Sequence, residues 1–282
     1  MYELKVKNKA GEVFNFSTTP NYTIYKITGL EPPVALINTS NNATTDGAKV
    51  NSVRVDKRNL VLYITVEGDI EANRIKLYSI FPLKRRVTLY YKNGSRDVYI
   101  EGVVESVTPD FFANKQMAQV SIICPQPYFK DIDELVTHFS EITSLFEFPF
   151  SIGSSGTEIS AITNNVRKSI INTGEVESGI IIKLYAAGTV EKPIIYDVFK
   201  RKHIGLNFTM LANDEIVINT YKGEKSISLI RSGITSNIMG YMTPDSKWLT
   251  LDIGDNVFTY DCASGISNLQ LTFTTALLYG GV

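Results

Sequence analysis

Residues 60–82 read LVLYITVEGDIEANRIKLYSIFP and contain two hydrophobic periods in succession. Leu60 to Val66 is an almost unbroken apolar and β-branched run, which predicts a buried strand. After Gly68, Asp69 is placed to cap a helix and Pro82 to end it. The apolar positions of that helix share one face: Ile70, Leu77, Tyr78 and Phe81. The stretch therefore predicts one amphipathic helix packed on a β-sheet.

Strand-like patterns surround this stretch. Leu4 and Val6 alternate with charged residues ahead of a turn at residues 8–11, which is typical of a β-hairpin. The tract NTSNNATTDG at residues 38–47 offers almost nothing to bury, so we expect an exposed, mobile loop. Further strands are predicted at Tyr22–Ile27, Val87–Tyr91, Val98–Val107 and Ala118–Cys124. The first part of the chain is thus predicted to be a β domain with one packed helix.

The prolines of CPQPYF, residues 124–129, predict a domain boundary because neither can donate a hydrogen bond within a central strand. We therefore expect a first domain at residues 1–130. A short connector helix is expected at residues 131–147, since Asp131 and Glu134 resemble a capping box. Its apolar residues recur at helical spacing: Ile132, Leu135, Val136, Phe139, Ile142 and Phe146.

A second domain is expected at residues 148–282, where short β runs alternate with turn residues. The runs are Ile170–Ile171, Ile180–Tyr185, Ile194–Phe199, Glu215–Thr220, Ser226–Ile230, Trp248–Ile253 and Leu269–Thr274. This spacing is typical of an antiparallel β-sandwich or jelly roll. The predicted fold class is therefore mainly β, with a helix-bearing β domain, a connector helix and a C-terminal antiparallel sandwich.

Composition excludes several functional classes. The 282 residues carry a formal charge of -1, which disfavours a general nucleic-acid coat or a polybasic membrane anchor. The charged N-terminus and the lack of an apolar run of about 20 residues predict a soluble protein made in a cytosol. Cys124 and Cys262 are too few for a disulfide framework and are expected to be buried thiols.

Catalytic and metal-binding motifs are missing from the sequence, which has no HExxH, P-loop, nucleophile elbow or EF-hand loop. GSSG at residues 153–156 lacks the lysine of a phosphate-binding loop. His138 is expected on the connector helix and His203 in a charged hairpin turn, so neither predicts a triad or a metal site. We predict no enzyme activity, no catalytic residue, no metal and no cofactor.

Two groups of carboxylates could in principle supply the acid/base pair of a glycosidase. Asp131, Asp133 and Glu134 cluster at the predicted helix start, where the helix dipole favours negative charge. Asp252 and Asp255 flank a glycine turn. Caps and turns commonly use aspartate, so structural roles are favoured for both groups.

Several motifs together resemble the distal tail protein family of long, noncontractile-tailed bacteriophages. GDIEANRIKLYSIFP, SIICPQPYF and FEFPF are similar to the family's first domain and junction. In the second half the similar motifs are GIIIKLYAAGTVEKPIIYD, NDEIVINTYKGEKSISL, SKWLTLDIGDNVFTYD and the terminal LLYGGV. Each motif alone is weak evidence, but together they occur along the chain in the same order as in the family. The sequence departs from the family at Asn213-Asp-Glu, where a Gly-Asp turn is usual.

The resemblance implies a structural virion protein at the phage tail tip, or in a prophage-encoded tail-like particle. Its N-terminal domains would form a homohexameric ring, the baseplate hub, which joins the tail tube protein to the tail-associated fibre or lysin protein. Its C-terminal sandwich would be similar to galectins or carbohydrate modules and would attach receptor-binding proteins. Neither a membrane nor a specific nucleic acid is an implied partner.

Two alternatives stay open at this point. The chain could be a carbohydrate-binding module that recognises host cell-surface glycans, with Trp248 as the sugar-stacking platform. A tryptophan in a β run is also typical of a sheet core. The second alternative is a degenerate glycosidase.

Overall fold

The structure is a computed structural model that describes residues 2–41, 43–44, 46–111, 116–144, 160–164 and 167–282. The chain forms two compact units, one of Met1–Ile132 with Leu278–Val282 and one of Asp133–Leu277. Both consist mainly of antiparallel strands, which confirms the predicted mainly β fold class.

Two pairing paths organise the first unit, β2-β1-β7-β8-β10 and β3-β6-β9-β8. The elements are β1 Glu3–Asn8, β2 Val13–Asn15, β3 Tyr22–Thr28, β4 Ala35–Asn41, β5 Ala48–Val55, β6 Arg58–Val66, α1 Ile70–Ile80, β7 Arg86–Lys92, β8 Asp97–Pro109, β9 Met117–Cys124 and β10 Phe129–His138. Inward side chains from both paths and from α1 form one buried cluster, which includes Leu4, Ile64, Leu77 and Val120. The predicted hairpin, strands and helix of this region are thus confirmed.

The helix α1 contacts the core through its last turn. Asp69 caps it by accepting a hydrogen bond from the backbone of Ala72 at 3.2 Å. Leu77 and Phe81 are buried as predicted. The predicted apolar face also included Ile70 and Tyr78, and there the prediction was wrong, because these side chains are 36% and 37% exposed. The other residues of its first two turns are exposed or half-buried, and Ile80 is buried instead.

The polar tract at residues 38–47 was expected to be a loop, and this was wrong. Within it, residues 38–41 belong to strand β4 of a two-stranded hairpin, β4 with β5, in which the described residues are exposed or nearly so, as predicted for the tract. Asn38 donates to the hydroxyl of Ser52 at 2.9 Å and Ser40 to the amide of Asn51 at 3.3 Å. Cross-strand backbone and side-chain bonds therefore order a segment that has no core of its own.

The predicted connector helix at residues 131–147 was also wrong. Residues 129–138 form β10, and Ser140–Ser144 form β11; residues 145–147 lie outside the described residues. Within β10, Lys130 pairs with Tyr99 and Asp131 with Val98. Ile132 and Val136 of the supposed apolar face are 42% and 47% exposed. Strand pairing prevailed because the segment is rich in β-branched and aromatic residues that suit a sheet as well as a helix.

The second unit contains two larger sheets, β23-β14-β19-β20-β21 and β13-β22-β16-β17. Its further elements are β11 Ser140–Ser144, β12 Ser160–Asn164, β13 Arg167–Asn172, β14 Ile181–Ala186, β15 Val190–Glu191, β16 Ile194–Asp197, β17 Lys202–Gly205, β18 Thr209–Met210, β19 Glu215–Asn219, β20 Ser226–Arg231, β21 Ile234–Asn237, β22 Gly254–Asp261 and β23 Leu269–Tyr279, with short 3-10 helices at Met239–Tyr241 and Ile266–Asn268. One hydrophobic cluster takes side chains from both sheets, Ile195 and Phe258 from one and Ile218 and Phe273 from the other. This is the predicted antiparallel sandwich.

One predicted β run of the second unit was wrong. Residues 248–253 have no strand, and an isolated bridge between Ser178 and Leu251 takes its place. The side chains of Leu249 and Leu251 are fully buried. Core packing, rather than ladder hydrogen bonds, therefore explains the apolar pattern there.

Candidate functional site

The β4–β5 hairpin separates its side chains into two faces. Register places Ala35 opposite Val55, Ile37 opposite Val53 and Thr39 opposite Val50. Because successive side chains of a strand alternate between faces, these pairs share one face. We call Ala35, Ile37, Val50, Val53 and Val55 the apolar hairpin face.

A β-bulge keeps this face continuous. Val50 and Val53 are three residues apart, which in a regular strand would direct them to opposite faces. The register shifts between Asn38 and Thr39, so that Asn51 is the extra residue of β5. The bulge therefore returns Val50 to the face of Val53.

The apolar hairpin face is open to solvent. Ile37, Val50 and Val53 are 57%, 55% and 61% exposed. The opposite face is mostly polar, with Asn38, Ser52 and Arg54 among its residues, but also carries Leu36. A row of half-exposed aliphatic side chains on one side of a projecting hairpin is typical of an interaction surface.

Arg58 anchors the base of the hairpin. Its guanidinium, 4% exposed, lies 4.7 Å from the centre of the Phe129 ring. It donates to the backbone carbonyls of Gly29, Glu31, Pro127 and Gly280. Burial lowers the pKa of Arg58, but an arginine stays charged in proteins. Since Glu31 precedes β4 and Arg58 follows β5, this cluster joins both ends of the hairpin to the body of the unit.

Gly29 makes this anchor sterically possible. Its φ is +89°, and a Cβ there would lie 2.2 Å from the carbonyl oxygen of Asn59. The residue therefore has to be glycine for the backbone to approach both Asn59 and Arg58.

Three of the carboxylates considered for an acid/base pair contact different polar groups in the structure. Asp131 accepts a hydrogen bond from the hydroxyl of Tyr279 at 2.9 Å, on a strand rather than at a helix start. Asp252 lies 2.6 Å from the ammonium of Lys200, whereas Asp255 accepts a hydrogen bond from Ser169. Asp131, Asp252 and Asp255 are thus each bonded to a different polar side chain. Among the described residues, no three His, Cys, Asp or Glu side chains cluster as a metal site.

The two histidines lie on strands instead of on the connector helix and in the turn. His138, near the end of β10, is 3.0 Å from the hydroxyl of Thr272. His203 on β17 is 3.1 Å from the carboxylate of Asp245 and packs against the ring of Tyr196. The GSSG segment lies outside the described residues.

The cysteines differ in their surroundings. Burial raises the pKa of Cys124 to about 12, so this thiol is inert at neutral pH, as predicted. Cys262 is half-buried, and its thiol donates to the carbonyl of Ser264 at 3.2 Å. The predicted burial is therefore confirmed for Cys124 and partial for Cys262.

Trp248 is half-buried and packs against the hydrophobic cluster of the second unit. The ammonium of Lys225 lies 5.4 Å from the centre of its ring. A sugar contact by Trp248 stays a prediction. No helix in the described ranges is long and apolar enough to cross a membrane.

Two family matches account for most of the chain. Residues 9–124 match the phage tail protein RIFT-related domain, and residues 173–276 match the C-terminal domain of the siphovirus-type tail component SPP1 Dit. The chain belongs to the siphovirus distal tail protein family. Each match falls within one of the two compact units. This distal tail protein is a structural component of the phage tail or baseplate and hence associated with the virion.

Solved structures share the fold of this distal tail protein. The crystal structure of SPP1 Dit, described as a paradigm of the hub adsorption apparatus in phages that infect Gram-positive bacteria, has a TM-score of 0.69 at 12% identity, with 98% of each chain covered. The phage P2 baseplate in its activated conformation with Ca has a TM-score of 0.57 at 11% identity, again with 98% of each chain covered. No curated protein matches the chain.

Sequence reasoning missed the apolar hairpin face and its anchor. The apolar residues of this face lie on both sides of the polar tract, residues 38–47. Val50 shares their face only because of the bulge, which the sequence does not reveal. A detectable signal was the alternation of Val53 and Val55 in β5. Arg58 gave no signal, since a single arginine at a strand start is ordinary.

Proposed function

We propose that this distal tail protein assembles into a homohexameric ring that acts as the baseplate hub. The ring would join the tail tube protein to the tail-associated fibre or lysin protein, with the first unit supplying the contacts between subunits. The observation that carries this proposal is the apolar hairpin face, held out from the first unit by Arg58.

An isolated two-stranded hairpin is at best marginally stable in water, so the exposed β4–β5 pair gains from a covering partner. Ile37, Val50 and Val53 are each more than half exposed. Each side chain would gain roughly half of the free energy of full aliphatic burial. Covering all three in one subunit contact would therefore contribute about 2–5 kcal/mol. A closed ring repeats that contact in every subunit, which is how symmetric assemblies cover such a surface.

The second unit supports an attachment role without catalysis. Asp252, His138 and His203 each bond to a different partner: Lys200, Thr272 and Asp245. Attachment of a receptor-binding protein needs only exposed contact area, which Phe199 and Ile234, 60% and 72% exposed, can supply. We therefore expect no turnover of cell-wall polysaccharide, measured as release of reducing sugar.

The test of the hub uses the full chain expressed alone and with its tail tube protein, imaged by negative-stain electron microscopy and weighed by analytical ultracentrifugation. Wild-type protein should form six-membered rings. The double variant Ile37→Asp, Val53→Asp should leave a folded monomer, because two carboxylates cannot be buried in the contact without partners.

Ser52→Asp, on the polar face of the same hairpin, is the matched control and should still form rings. Rings that persist in the double variant would show that another surface carries the contact. If the wild-type protein forms no ring even with the tail tube protein, the hub proposal is wrong.

A further inference from the structure

The second unit contains a cleft that its attachment role leaves unexplained. Its volume is about 530 Å³, within the range of small-molecule sites. The lining combines apolar and polar side chains, among them Lys192, Pro193, Leu206, Asn207, Gly240 and Tyr241. The cleft is thus large enough for a small ligand and mixed in character.

Backbone hydrogen bonds hold the walls of the cleft in place. Leu206 donates to the carbonyl of Pro193 at 3.0 Å, and Thr243 to that of Gly205 at 2.9 Å. Asn207 donates to the carbonyl of Tyr241 at 2.8 Å. The site is therefore preformed, and these backbone groups are already paired. A peptide that adds to a strand edge needs unpaired backbone groups, so such a partner is disfavoured here.

The side chains at the rim offer a specific chemistry. Tyr241 is 50% exposed, and its ring packs edge-on against Phe208 with centroids 5.1 Å apart, which restrains it. The side chains of Lys192 and Asn207 are exposed and have no hydrogen bond or ion pair within the part of the chain that the structure describes. An aromatic face, an amide and an ammonium therefore line one preformed cleft.

We propose that this cleft binds a pyranose residue of a saccharide, with preference for one that carries an acidic group. A pyranose has an apolar C–H face that suits the ring of Tyr241 and hydroxyls that suit the amide of Asn207. Lys192 supplies the positive charge that an acidic substituent would meet. Trp248, the residue the sequence singles out for sugar stacking, is not among the residues that line the cleft.

Gly240 allows the cleft to be blocked without disturbing the fold. A Cβ at Gly240 would meet no atom within 4 Å, and its φ lies outside the left-handed region. Gly240→Trp should therefore fill the cleft. Gly94→Trp is the matched control, because Gly94 has the same open surroundings in the first unit.

The experiment measures binding of the full chain to an array of glucose, galactose, N-acetylglucosamine and uronic-acid oligomers, followed by calorimetric titration of the strongest binder. Wild-type protein should bind at least one oligomer. Gly240→Trp and Tyr241→Ala should each weaken binding by about tenfold or more, as for a central aromatic contact. Gly94→Trp should bind like wild type, and both glycine variants should keep the wild-type melting temperature.

Absence of binding to every oligomer would overturn the proposal, as would equal binding by Gly240→Trp. If Gly240→Trp instead abolishes attachment of a purified receptor-binding protein, the cleft is a protein-docking site and the saccharide assignment is wrong. None of these outcomes depends on ring formation, so the hub proposal is tested separately.

Discussion

The hairpins β4–β5 and β19–β20 use the same strand geometry in opposite ways. In β19–β20 the apolar residues of one face are at most 6% exposed; they are Ile216, Ile218, Ile227 and Leu229. In β4–β5 the corresponding apolar face is more than half exposed at Ile37, Val50 and Val53. Alternation of apolar and polar residues therefore predicts a face that needs covering, but not whether its own chain or another molecule covers it.

The two hairpins also differ in how their open ends are closed. In β19–β20, Arg231 at the end of one strand holds Asp214, just before the other, through bonds of 2.8 and 2.5 Å. In β4–β5, Arg58 bonds to uncharged carbonyls instead. The β19–β20 closure is therefore an ion pair with a titratable acid, whereas the hydrogen-bond acceptors of Arg58 are backbone carbonyls, which do not titrate.

The largest expected difference concerns the apolar faces themselves. Ile218→Ala should lower the free energy of unfolding by about 2–5 kcal/mol, because it opens a cavity in a packed core. Ile37→Ala should change it by less than about 0.5 kcal/mol in the isolated subunit. Thermal and urea unfolding of both variants would measure the two changes in the free energy of unfolding. Equal losses of stability would show that the β4–β5 face is covered within the monomer.

The next effect concerns the anchor of the exposed hairpin. Arg58→Met should cost about 2–4 kcal/mol, because buried carbonyls lose charged donors while the aliphatic volume is kept. Arg54→Met, on the exposed strand β5, should cost almost nothing. Amide exchange in β4 and β5 should accelerate in the first variant and stay unchanged in the second. Unaltered exchange in Arg58→Met would show that the hairpin does not depend on this anchor.

The smallest expected effect is a pH dependence of the Asp214–Arg231 pair that closes β19–β20. The hydrogen bonds from Arg231 hold the pKa of Asp214 below its usual range. Because the folded pKa is lower than the unfolded one, this carboxylate stabilises the fold above about pH 4, and the contribution is lost as pH falls through the folded pKa. Arg231→Gln should lower the free energy of unfolding more at pH 7 than at pH 3, because the ion pair exists only where Asp214 is charged, and the loss should be small since the arginine is partly exposed. A loss that is equal at both pH values would exclude the pair as the cause.

Much of the fold could be predicted from local pattern. The strand and helix of residues 60–82 were correct because period and capping agree there, and Leu77 packs where its spacing places it. The segment 131–147 failed because Ile132, Leu135 and Val136 fit a helix period equally well, and pairing of Lys130 with Tyr99 decided the outcome. The candidate sites were harder to predict from the sequence, because residues that are distant in the chain form each of them.

The sequence by itself determined the class of this protein: β-rich, without a motif for catalysis, and with collinear motifs of the distal tail family. Tertiary structure alone decided that β4–β5 stands free, that Arg58 meets Gly280 across the length of the chain, and that Asn207 and Tyr241 share a cleft. The physical reason is one of range. Propensity and period act between neighbours along the chain, whereas burial and hydrogen bonding depend on which distant segments meet.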